Sequence, residues 1–158
     1  VDPSTPLSAR DWQRRGVEHA RAGALDEALA CFEQAAALDG ASALHRYNLG
    51  LALRRLGHLE RAAAAYRAAL ERDPSLVEAH NNLGNVLLAQ GREEEALECF
   101  RALVRRFPDC GDGHYNLANV LADTGRIDEA ATHYRRALEL EPEKDVAWEN
   151  LGRMLVAE

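Results

Sequence analysis

The chain has 158 residues and a mass of 17.4 kDa, enough for one ordinary domain or one short repeat array. Its 47% apolar and 28% charged residues give the balance of a packed globular protein, far from the disordered class. The 26 acids outnumber the 19 bases, and a net charge of −7 argues against nucleic acid as a partner, since phosphates are repelled. No apolar run is long enough to span a bilayer and no basic-then-apolar leader opens the chain, so a cytoplasmic protein without a membrane partner is expected. Cys31, Cys99 and Cys110 have no C-x-x-C spacing and suit free thiols in a reducing compartment. Among the bases only Lys144 is lysine, and that arginine bias beside heavy alanine usage points to a GC-rich, bacterial genome.

Residues 1–8, with Pro3 and Pro6, read as an unstructured lead-in. From residue 9 the chain repeats itself every 34 residues without an insertion. Gly16, Gly50, Gly84, Ala118 and Gly152 form one column, and Gly23, Gly57, Gly91 and Gly125 another. Ala28, Ala62, Ala96 and Ala130 form a third, and Phe32, Tyr66, Phe100 and Tyr134 a fourth. Pro74, Pro108 and Pro142 close three units, with Gly40 in the first unit's proline place. The units are 9–42, 43–76, 77–110 and 111–144, followed by a terminal helix over 145–157.

Each unit reads as helix, turn, helix. Tyr47, Leu49, Gly50 and Leu53 recur at helical spacing and give the first helix one apolar stripe. The glycine at the fifteenth place is suited to the left-handed backbone that ends that helix. Acidic pairs such as Asp26-Glu27, Glu94-Glu95 and Asp128-Glu129 complement the positive end of the second helix. The proline then stops it. Small residues at the eighth and twentieth places leave room for the two helices to cross closely.

The pattern W-x2-L-G-x2-Y followed by G, A, F, A and P is similar to that of the tetratricopeptide repeat family, over almost the whole chain. The resemblance implies an all-α, right-handed superhelical solenoid of four full repeats plus a terminal helix, nine helices in all. It implies a protein–protein interaction scaffold and no enzyme. Arg15 departs from the usual apolar seventh residue, and His80 and His114 stand at the fourth place where Trp12 and Trp148 carry the family's tryptophan.

In the family, places 2, 5, 6, 9, 12 and 13 of each first helix face a concave groove. Carried over, the groove includes Arg14, Tyr47, Asn48, Leu51, Arg54, Arg55, Asn81, Asn82, Asn85, Tyr115, Asn116, Asn119 and Asn150. Asn48, Asn82, Asn116 and Asn150 share the sixth place, and an amide suits the backbone of an extended peptide because it both donates and accepts. This ladder resembles that of the repeat region of O-GlcNAc transferase. The second unit carries six arginines against three acids and the fourth four bases against seven acids, so an acidic end of the partner is expected toward the first two repeats.

Two other readings stay open at this point. The repeats are the substrate-targeting part of a larger enzyme such as a glycosyltransferase, or they self-assemble through the terminal helix, where Trp148, Leu151 and Leu155 form a stripe with no second helix to cover it. No Gly-rich phosphate loop, G-x-S-x-G elbow or H-E-x-x-H is present, so neither catalysis nor a cofactor is expected. His80 and His114 read as packing substitutes for tryptophan, and no metal site is expected.

Overall fold

A computed structural model gives the fold and describes residues 6–156, with side chains as far as Met154. The first five residues of the expected lead-in, and the side chain of Leu155, lie outside that description. Nine α-helices and no strand occur among the described residues: α1 Ala9–Arg21, α2 Leu25–Leu38, α3 Ala43–Arg55, α4 Leu59–Arg72, α5 Val77–Ala89, α6 Glu93–Arg106, α7 Gly111–Asp123, α8 Ile127–Leu140 and α9 Asp145–Val156. They alternate as the 34-residue period requires. The chain divides into two compact units, residues 1–79 and 80–158, with the division inside α5.

Helix starts follow two patterns. First helices are capped by side chains: Ser8 accepts from the Asp11 amide at 3.2 Å and Ser42 from the His45 amide at 3.3 Å. At α1 the Asp11 carboxylate also accepts from the Ser8 amide, which completes a capping box. Cys110 does the same work at α7, its Sγ accepting from the Gly113 amide at 3.3 Å. Second helices have no such cap and begin instead with acids in the first turn, Asp26 and Glu27 in α2 or Glu93 to Glu95 in α6. Between the two helices of a repeat, Gly57 holds φ at +79°, and Gly23, Gly91 and Gly125 share that left-handed backbone.

The core of the first three repeats is a glycine pressed against a ring, and the fourth has the fully buried Ala118 at that place. A Cβ on Gly50 would lie 2.7 Å from the Tyr66 ring, one on Gly16 2.5 Å from Phe32, and one on Gly84 2.4 Å from Phe100. Ala28, Ala62, Ala96 and Ala130 at the twentieth place are all fully buried beside these contacts. Arg15 is exposed.

The fourth place is more than packing. Arg46 donates from Nε and Nη2 to the Gly40 carbonyl at 3.0 and 2.9 Å. His114 Nε2 reaches the Pro108 carbonyl at 2.9 Å, and Trp148 Nε1 donates to the Pro142 carbonyl at 3.0 Å. Three different side chains thus tie a first helix to the carbonyl six residues earlier, where the preceding repeat ends. What they share is a flat group with an N–H at its rim.

The glycine contacts carry a prediction. Gly84→Ala forces the buried Phe100 ring to move and should destabilise by about 1–3 kcal/mol, outweighing the gain of about 1 kcal/mol in helix propensity. Gly152 holds the same place in α9 but has nothing within 4 Å of its Cβ position, so Gly152→Ala should stabilise. Urea unfolding of the two variants should therefore shift in opposite directions.

Candidate functional site

Two clefts, one in each unit, gather first-helix residues. In the unit of residues 1–79 a cleft of about 330 Å³ has a floor of Val17, Ala20, Leu25, Phe32, Leu51 and Ala52, with Arg21, Asn48 and Arg55 around it. No carboxylate is among those residues. Asn48, Leu51 and Arg55 of the expected groove therefore stand together. Arg55 also leans on α1, donating to the Ala20 carbonyl at 3.4 Å. Arg14 and Arg54 do not line this cleft. Arg14 is exposed and 3.5 Å from Asp11, and Arg54 is exposed on α3. Tyr47 is half-buried with its ring 5.9 Å from that of Tyr66.

In the unit of residues 80–158 a cleft of about 870 Å³ is lined by Leu88, Tyr115, Asn119, Ala122, Asp123, Ile127, Asp128, Tyr134, Asn150, Arg153 and Met154. Tyr115, Asn119 and Asn150 of the expected groove are brought together here. Asn119 is the hub: its Oδ1 accepts from the Tyr134 hydroxyl at 2.6 Å and from Asn150 Nδ2 at 3.2 Å, while Asn150 Nδ2 also lies 3.3 Å from the Tyr134 oxygen. Arg153 donates to Asn150 Oδ1. Burial pushes the Tyr134 phenol above its ordinary pKa, against the pull of the Asn150 hydrogen bond, so it stays a neutral donor. Tyr66, at the same place in its own repeat, has Leu51 where Tyr134's repeat has Asn119. Its buried hydroxyl has no hydrogen-bond partner, and burial raises its pKa too.

The asparagines partly satisfy one another. Asn116 Nδ2 donates to Asn81 Oδ1 at 3.2 Å, so a donor expected to face a ligand is used inside the unit. Asn116, Asn81 and Asn82 are half-buried, and Asn85 is exposed. Sequence reasoning missed the second-helix contribution to both clefts. Leu25 and Ile127 share the seventeenth place, and Tyr134 holds the twenty-fourth. An apolar residue opening a helix beside a glycine turn was the available signal.

A His pair also escaped notice. His114 and His133 face each other across α7 and α8 with their Nδ1 atoms 2.9 Å apart, ring centroids 5.2 Å apart and planes 27° apart. The Pro108 carbonyl can only accept, so His114 carries its proton on Nε2, its Nδ1 is the lone-pair side, and His133 Nδ1–H donates to it. His114 is thus a bonded core residue rather than an inert filler of a tryptophan's place. Among the described residues no group of three or more His, Cys, Asp or Glu side chains is placed to hold a metal ion. Among the described residues no helix is long and apolar enough to cross a membrane.

With this geometry in place, comparison with known proteins is direct. A family model described as tetratricopeptide repeat matches residues 14–77, 47–109, 81–145 and 115–157. Among curated proteins none matches. Among solved structures, MamA from Desulfovibrio magneticus RS-1 aligns at 25% identity with a TM-score of 0.85, over 94% of this chain and 84% of that one. PilF of Pseudomonas aeruginosa aligns at 22% identity and 0.81, over 94% of this chain and 68% of that one. YrrB, described as a TPR protein with an unusual peptide-binding site, aligns at 21% identity and 0.79, over 95% and 77%. These likenesses put the chain in the all-α helical-repeat solenoid class.

The His pair makes stability depend on pH. Burial, then the neighbouring His114, lowers the His133 pKa, with Glu129 opposing and Arg101 adding to the effect. The unfolded chain therefore binds a proton that the folded chain resists. This contribution is fully present above the ordinary histidine value of about 6.5 and is lost progressively as pH falls from there through the lowered value of the folded chain. The thermal midpoint should drop on acidification from about pH 7.5 to about pH 5, and His133→Gln should flatten that slope. An identical slope in the variant would contradict the assignment.

Proposed function

The chain belongs to the tetratricopeptide repeat family, a family of protein-interaction scaffolds, and from that premise we propose that it holds an extended protein segment against its first helices. The observation that carries this reading is the gathering of Asn48, Leu51 and Arg55 in one cleft and of Tyr115, Asn119 and Asn150 in the other. Each cleft combines apolar residues that suit a side chain with amide or other polar groups that suit a backbone. This is the division of labour an extended peptide needs.

The two clefts favour different partner chemistry. Arg21 and Arg55 border an apolar floor, which favours an apolar residue flanked by acids. Asp123 and Asp128 stand with Arg153 around the other cleft, a mixed field that favours neutral or basic residues. Since Asn116 and Asn150 spend donors within the unit, recognition there runs through what those contacts leave over. The Asn116 carbonyl oxygen accepts from a partner's N–H, and the Asn119 amide nitrogen donates to a partner's carbonyl. The peptide-binding description of YrrB agrees with this reading.

The test is capture from a lysate by the intact chain, by the Asn48/Asn82/Asn116→Ala triple variant and by the Arg21/Arg55→Glu double variant, with proteins identified by mass spectrometry. Partners should be held by the intact chain and lost or weakened at least about tenfold by either variant, the loss of one hot-spot contact. Higher salt should weaken the arginine-dependent part. Equal capture by all three chains would overturn the groove assignment.

A further inference from the structure

Arginine stands at the thirteenth place of two successive repeats, as Arg21 and Arg55, where the later repeats carry Ala89 and Asp123. Both arginines border the cleft of about 330 Å³ in the unit of residues 1–79. Arg55 donates one N–H to the Ala20 carbonyl at 3.4 Å, so its guanidinium reaches the last turn of α1, the turn that carries Arg21. Both residues are exposed, and among the described residues neither is paired with a carboxylate. By contrast Arg61 is held by Glu33 at 2.6 Å, and Arg46 is spent on the Gly40 carbonyl. Asn48 adds an amide donor to the same cleft, and no residue lining it is acidic. Two like charges and a set of unspent donors thus border one apolar hollow.

We propose that this cleft reads a phosphorylated serine or threonine of the partner segment, set beside an apolar residue that enters the floor. The inference rests on the reading that the cleft holds an extended segment, and it adds what that segment carries. Charge separates the anions that a protein side chain can offer. One carboxylate cancels one guanidinium and leaves the charge of the other unmet. A phosphate monoester carries about −1.5 to −2 at pH 7, which matches the pair. It also has enough oxygens to meet two guanidinium forks at once, whereas the oxygens of a carboxylate meet one. A pair of glutamates supplies the charge only by ordering two flexible side chains where the phosphate orders one. Without the phosphoryl group the segment meets only the floor and Asn48, so phosphorylation of the partner sets its affinity.

The probe is a set of three oriented peptide libraries passed over the immobilised full chain. Each varies the residues on both sides of a fixed centre, which is phosphoserine, serine or a pair of glutamates. The phosphoserine pool should be retained at least about tenfold better than either other pool, the worth of one charge-assisted contact. Leucine, isoleucine, valine or phenylalanine should be enriched close to the phosphoserine. Arg21→Gln and Arg55→Gln should each reduce that preference, and the double variant should abolish it. Arg14→Gln, at an exposed arginine that does not line the cleft, should leave it unchanged. All these changes are at exposed positions, so circular dichroism melts should match that of the parent. Equal retention of the phosphoserine and glutamate pools, or a phosphoserine preference that survives in the double variant, would overturn the inference. The segment reading would still stand in either case if retention depended on Asn48. Retention of none of the pools would overturn both. Displacement of the phosphoserine pool by inorganic phosphate as readily as by phosphopeptide would overturn the inference too, because the arginines would then take a free anion.

Discussion

The fold depends on an aromatic ring pressed against a residue with little or no side chain. Two helices joined by a short turn pack at close range where one of them presents a glycine or an alanine. At Gly16, Gly50 and Gly84 the space a Cβ would need is already filled by Phe32, Tyr66 and Phe100. The aromatic gains nearly complete burial, and the alanine at the twentieth place, fully buried in every complete repeat, keeps the backbones near enough for the contact to form. With that contact secured, other columns are free to vary, and they do. The fourth place changes from tryptophan to arginine to histidine, and the ninth from valine to leucine to asparagine. Structural constraint and variability divide cleanly between positions. For that reason the cleft-lining residues differ so much between the two units.

The period of the sequence exposed the fold because glycine, alanine and aromatic columns report backbone geometry directly. The cleft was less legible. First-helix positions such as Asn48, Leu51, Tyr115 and Asn119 line the clefts because their angular place on the helix dictates it. Leu25, Ile127 and Tyr134 were harder to place because they come from the second helix, and whether its start reaches the cleft depends on how the turn glycine aims it. The asparagine column was read as a set of groups waiting for a ligand. In the fold, Asn116 and Asn150 donate to Asn81 and Asn119, residues of the preceding repeat. A column shows which residues recur but not which neighbours they choose. Likewise the contact between His114 and His133 joins residues 19 apart on antiparallel helices, a separation that leaves no mark in any helical period.

Tyr66 and Tyr134 show how one substitution alters the chemistry of a repeat without altering its shape. Both rings are buried at the same place. With Asn119 at the ninth place, the Tyr134 hydroxyl joins a network that ends in the cleft. With Leu51 there, the Tyr66 hydroxyl has no partner, a burden on stability for a group of that polarity. The first cleft gains an aliphatic wall from the same leucine. An apolar cleft wall is obtained at the expense of a satisfied core.

The flat N–H groups at the fourth place give the chain a nearest-neighbour grammar. Arg46, His114 and Trp148 each grip the carbonyl that ends the previous repeat, at Gly40, Pro108 and Pro142. Each of these three junctions thus links a helix to the repeat before it and not to the one after. In a linear array, stability is roughly a sum of repeat terms and junction terms. A junction held by a directional bond favours neighbours that are folded together, so at these three junctions cooperativity is supported by the bond as well as by the apolar core. Fraying that starts at α9 must release the Trp148 bond before it reaches α8. The strength of one indole–carbonyl contact therefore helps set how far a loosened end can travel into the array.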